Sequence, residues 1–145
     1  MPLWTSTPPL DHARVVAAIT HAEGMTSGEI RVVISRQPAL DPVTTAQKEF
    51  ERLGMTETAA RNGVLFFLAP ASHTFAVIGD RGIHQACGDE FWRELTTTLS
   101  EHFKRQAFTD GLVLGIERAG ALLATHFPRK PGDKNELPDK VEESM

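Results

Sequence analysis

Five side chains could hold a cation between them: Glu29, Asp80, Asp89 and Glu90, with Asn62 as a neutral oxygen donor. Calcium and magnesium are hard cations that take several oxygen ligands on a flexible frame. Carboxylates on separate segments, brought to one place, would supply them. Gly79 and Gly82 would let backbone carbonyls approach. Arg61 and Arg81 flank the same segments. Positive charge there would stabilise the oxygens of a phosphoryl group, so Asp80, Arg61 and Arg81 form the candidate catalytic set. No phosphatase nucleophile motif is present, so if phosphate esters are hydrolysed there the mechanism is a metal-activated water. A plainer reading makes Asp80 a turn residue, makes Asp89 a helix cap, and pairs Glu29 with Arg61 or Arg81. The Asp-x-Asp-x-Asp-Gly loop of a calcium hand is not present, so spacing alone does not choose between the two.

Other chemistries find less support. Cys87 is the single cysteine, which excludes an internal disulfide and a cysteine-rich zinc site. It lacks the C-x5-R frame of a cysteine phosphatase. Its place just before a helix start would lower its pKa, but a small buried packing residue is the simpler reading. His84 and Cys87 make an H-x-x-C pair, too little for zinc without partners. Ser27 and Ser72 have no His/Asp frame, and Gly79-Asp80-Arg81-Gly82 is neither a Walker loop nor a dinucleotide fingerprint.

The elements that position these residues are organised around Arg61–Gly82. Val64–Ala69 is apolar at every position and stopped by Pro70, as in a strand buried on both faces. Thr74–Ile78 is a second strand, and the Pro-Ala-Ser-His link between them predicts a hairpin. The hairpin lays Gly79–Gly82 beside Arg61–Gly63. Upstream, Ile30–Ser35 reads as a strand rich in Val and Ile. Asp41-Pro42 opens a helix to about Leu53, with Ala46, Phe50 and Leu53 inward and Gly54 ending it. Strand, helix, strand predicts a right-handed βαβ crossover with parallel strands. Glu29, Asn62 and Asp80 then reach one edge of the sheet. Ile83–Gly88 is expected as a loop from that edge, and a helix starts near Asp89 with Trp92, Leu95, Leu99 and Phe103 on one face. An earlier helix spans Asp11 to about Glu23 along a Val15, Val16, Ile19 and Ala22 stripe, closed by Gly24. A last helix opens at Thr109 or Asp110, with Leu112, Val113, Ile116, Leu123 and Phe127 inward, and Pro128 stops it.

The expected fold is α/β: a three-layer α/β/α sandwich with a small mixed sheet, βαβ plus hairpin, flanked by about four helices. Residues 1–9 read as an arm pinned by Trp4, 10–128 as the domain, and 129–145 as a polar, Pro-containing tail in which Asn135–Pro138 is the piece suited to docking. The chain has 145 residues, is 41% hydrophobic and 23% charged, and carries a net charge of −4, which fits one ordinary globular domain. Without a Lys/Arg-rich run it lacks the footprint of a nucleic-acid binder. The N-terminus has no basic region followed by an apolar core, and no stretch approaches the ~18 apolar residues of a membrane span. A cytoplasmic monomer is the expectation.

Thr-Ser-Gly-Glu-Ile-Arg-Val (26–32), Arg-Asn-Gly-Val-Leu (61–65), Ile-Gly-Asp-Arg-Gly-Ile (78–83), Phe-Trp (91–92) and Phe-Thr-Asp-Gly-Leu (108–112) occur in this order. Together they resemble the TPM domain family, named after a thylakoid lumen protein, a photosystem II-associated protein and a modulator of acetylcholine receptors. The resemblance covers roughly residues 10–128 and looks like a soluble bacterial branch. It implies an α/β/α sandwich, a site for calcium or another divalent ion and, for the plant thylakoid members, acid phosphatase activity. Two functions follow as expectations. One is a calcium- or magnesium-binding domain with weak metal-assisted acid phosphatase activity. The other is a noncatalytic, calcium-responsive module that docks a protein partner at the same edge during assembly or repair of a complex.

Overall fold

The computed structural model describes residues 10–129 and 141–144; Trp4 and Asn135–Pro138 lie outside them. Helix α1 (His12–Glu23) begins at Asp11, whose carboxylate accepts the Arg14 N–H, and it buries Val15, Ile19 and Ala22. Gly24 ends it in right-handed geometry, at φ −65°, rather than by the left-handed route expected of a terminal glycine. Strand β1 (Glu29–Ser35) is buried at all seven positions. Asp41 caps α2 (Pro42–Arg52) through the Thr44 N–H, and Pro42 supplies the preset first turn. Ala46 and Phe50 of α2 are buried, and Leu53 is half-buried. Gly54, at φ +73°, turns the chain into a short 3₁₀ turn (Met55–Glu57).

Strand β2 (Gly63–Ala69) runs parallel to β1, with Glu29 opposite Gly63 and Ile34 opposite Leu68. The link to β3 (Thr74–Gly79) is a 3₁₀ turn, Pro70–Ser72, closed by His73 at φ +54°. β3 then returns antiparallel along β2, Val64 opposite Gly79. Period-two alternation divides the core. Ile30, Val32, Ile34, Val64, Phe66 and Leu68 face α1 and the last two helices. Val33, Leu65, Phe67 and Ala69 face Ala46 and Phe50 of α2, with Met55. The uniformly apolar β2 run is thus explained by helices on both faces, and the expected three-layer sandwich stands.

Three features differ from the sequence expectation. The segment expected as a loop, Ile83–Gly88, belongs to a helix, α3 (Arg81–Cys87). Asp80 caps it, which the turn pattern of Gly79–Gly82 hides. Helices α4 (Glu90–Lys104) and α5 (Phe108–His126) follow, giving five α-helices among the described residues rather than four. Finally, Val141–Ser144 forms β4, parallel to Val32–Ser35 of β1, within the segment read only as a polar tail. The sheet order is β3-β2-β1-β4. Among the described residues, no helix is long and apolar enough to cross a membrane.

Candidate functional site

Three backbone segments meet at the sheet edge where β1 and β2 begin and β3 ends. The Asp80 N–H donates to the Gly63 carbonyl at 2.9 Å, continuing the β2–β3 ladder by one pair. The Gly82 N–H donates to the Arg61 carbonyl at 3.0 Å. A Cβ on Gly82 would stand 2.4 Å from the Ala60 carbonyl oxygen and 2.6 Å from that of Arg61, so only glycine allows this approach. From the β1 side, Ser27 Oγ accepts from Asn62 Nδ2 at 3.2 Å. Sequence reasoning brought Glu29, Asn62 and Asp80 to one edge, and the register does so as well.

Asp80 and Arg61 dominate this edge. Arg61 Nε donates to Asp80 Oδ2 at 2.6 Å, and Arg61 Nη2 donates to Asp80 Oδ1 at 2.8 Å. This planar, two-pronged pairing is the strongest form of guanidinium–carboxylate contact. The Arg81 N–H also donates to Asp80 Oδ1, at 2.8 Å, as the first turn of α3. Three of the roughly four lone-pair sites of the carboxylate are therefore in use. The side chain of Asp80 is 6% exposed and that of Arg61 29%. The hydrogen bonds to Asp80 push the Arg61 pKa up, against an opposing effect of burial.

The remaining expected residues sit apart from this pair. Glu29 and Asn62 are both buried, at 1% exposure, at the starts of their strands. Arg81 is exposed on α3. Asp89 is 86% exposed and stands 3.9 Å from His84 Nδ1; it makes no capping bond to α4. Glu90 is exposed too. The length of α3 separates Asp89 and Glu90 from Asp80 along the chain. His84 packs on Trp92, ring centroids 5.4 Å apart. Burial raises the Cys87 pKa, the opposite of the lowering expected beside a helix start.

A cleft of about 210 Å³ opens beside Asp80 and is lined by Gln47, Phe50, Glu51, Thr56, Ile78 and Gly79. Gln47, Glu51 and Thr56 were missed from the sequence. The signal was topological. A crossover helix runs back against its strands, so the C-terminal turns of α2 must return to the edge where β2 begins. Gln47 and Glu51, four apart, share one helix face. The polar side chains that line it are those of Gln47, Glu51, Thr56 and Asp80. Among the described residues no three His, Cys, Asp or Glu side chains converge as a metal cluster.

Fold and site together define an α/β/α domain with a polar cleft at one sheet edge, and comparison with known proteins gives the family. The family model of the TPM domain matches residues 8–122. The chain belongs to the TPM domain family. It is similar to the BA42 protein of the psychrophilic bacterium Bizionia argentinensis, solved by NMR: 39% identity over 92% of each chain, TM-score 0.84. The N-terminal domain of the cg2496 protein of Corynebacterium glutamicum shares the fold at 15% identity, with TM-score 0.59 over 92% of this chain and 78% of that one. A search of curated proteins gave no match.

Proposed function

We propose that this TPM domain binds a divalent cation, calcium or magnesium, in the cleft beside Asp80, and that the bound form hydrolyses phosphate esters slowly. One observation carries the reading: the nearly buried Asp80 lines a cleft together with Glu51, Gln47 and Thr56. In the proposal Asp80 and Glu51 supply charge, while Gln47, Thr56 and the Gly79 carbonyl complete the oxygen set. Asn62 and Glu29 brace the edge from the two parallel strands. A cation held there would supply Lewis acidity toward a phosphoryl oxygen. Arg81, exposed and next to Asp80 in the chain, would hold a second phosphoryl oxygen.

The test is phosphate release from a generic aryl phosphate, with and without calcium or magnesium. Neutralising the cleft with Asp80→Asn and, separately, Glu51→Gln is expected to cut metal-dependent turnover about tenfold or more each. Undiminished turnover after both changes would refute the site.

A second reading is favoured by the Arg61 pair. A carboxylate with three of its acceptor sites already filled is equally a structural brace. The edge would then be a noncatalytic surface for a protein partner. It predicts no turnover above blank in the wild-type protein, with a cation still changing thermal stability.

A further inference from the structure

Strand β3 is one edge of the sheet: it pairs with β2, and among the described residues no strand lies on its other side. Its register with β2 fixes which backbone groups face outward. Residues directly opposite each other in an antiparallel pair alternate between bonded and non-bonded positions. The Asp80 N–H bonds the Gly63 carbonyl, and the Gly82 N–H bonds that of Arg61. Continued in register, the alternation makes Ile78 with Leu65, Ala76 with Phe67 and Thr74 with Ala69 the bonded pairs. Phe75, Val77 and Gly79 therefore turn their N–H and C=O groups away from β2.

Edge strands are ordinarily protected by a charge, a proline, a bulge or extreme shortness. Thr74–Gly79 has six residues, none charged and none proline, and its register with β2 runs without a bulge. Phe75, Val77 and Ile78 are only half-buried. The result is an apolar strip carrying a row of backbone hydrogen-bonding groups, which an extended backbone satisfies. The strip is also complementary to itself. Phe75 and Gly79 are equidistant from Val77 along the strand. A two-fold axis at Val77 lays Val77 against Val77, Phe75 against Gly79 and Ala76 against Ile78 of an antiparallel second copy. Beside the central valines each large side chain meets a small one. Asp80 falls opposite Thr74, so no like charges face each other.

We infer that β3 is an interface for a second copy of this chain, joined antiparallel through Val77 in an isologous two-fold pair that continues the sheet from one copy into the next. A strip of six residues, ~20 Å long, falls short of a standard interface. The pair is therefore weak and reversible, with a dissociation constant on the order of 10–100 μM. The inference goes beyond the readings above and stands whether or not a cation enters the cleft. That cleft lies on the α2 face of the sheet, whereas Phe75 and Val77 pack on the other.

The experiment is sedimentation equilibrium of the full chain from about 5 to about 500 μM, with amide hydrogen exchange followed by NMR at both ends of that range. Wild type is expected to pass from monomer to dimer. The Ala76 and Ile78 amides, bonded to β2, should be protected at both concentrations. Those of Val77 and Gly79 should slow about fourfold or more at the higher one, as the monomer fraction falls. Val77→Lys and Val77→Glu each set like charges face to face at the axis and should be monomeric throughout; an equimolar mixture of the two should dimerise again. A wild type that stays monomeric at the highest concentration overturns the inference and leaves the edge to an extended segment of a different protein. A dimer in which Val77 and Gly79 exchange at one rate at both concentrations overturns it too, because the contact is then elsewhere. So does full protection of these two amides in the monomer, which would mean that the edge is closed within one chain. The exchange readout needs no variant, so it decides the matter even where the charged variants fail to fold.

Discussion

Cys87 and Asp80 show how burial decides what a reactive side chain can do. Cys87 is half-buried on α3 and its pKa is raised above that of a free thiol because the thiolate loses water. A thiol with a raised pKa holds less thiolate at any pH below that value. Disulfide-exchange labelling at pH 8 should therefore be slower in the folded protein than in urea, and the folded rate should keep rising above pH 9. Equal rates, levelling together, would contradict this. The residue types at the edge were legible because Glu29, Asn62 and Asp80 each begin or end a strand. What one sequence did not reveal was which acids share a cavity. Asp89 looks equivalent to Asp80 on paper, yet it is 86% exposed where Asp80 is 6%. The difference comes from α3, whose seven residues stand between them.

At the scale of the element, α3 was invisible for a physical reason. A short helix carrying Gly82, His84 and Cys87 has poor intrinsic propensity, and Asp80-Arg81-Gly82 has the composition of a turn. Contacts hold it instead: the Asp80 cap, the Gly82 bond to Arg61, and buried Ile83. Gly82→Ala should destabilise the fold by about 1–3 kcal/mol, because the added methyl meets two backbone carbonyl oxygens that cannot rotate away. Urea unfolding checks this, and a change near zero would mean that α3 shifts freely. Helix α2 was legible from Asp41-Pro42 onward. The face of α2 that lines the cleft was missed because polar Gln47 and Glu51 look like any solvated pair until the direction of the crossover is followed.

For the whole molecule, the layers and strand directions followed from hydrophobic pattern: a two-sided apolar β2, a hairpin, and one crossover. The fourth strand was not legible. Val-Glu-Glu-Ser carries no strand pattern, and its pairing with Val32–Ser35 is a long-range backbone contact. The family match spans residues 8–122 and so ends before this strand; β4 lies outside the matched domain. The central claim concerns the other end of the sheet, where a crossover helix and a hairpin bring Glu51 and Asp80 to one cleft. The most direct test is an amide NMR titration of metal-free protein with calcium and then magnesium, repeated on Asp80→Asn. The account predicts shifts confined to Gln47–Glu51, Thr56, Arg61–Gly63 and Gly79–Gly82, and largely lost in the variant. No shifts at millimolar metal, or shifts centred on Asp89 and Glu90 and unchanged in Asp80→Asn, would contradict it.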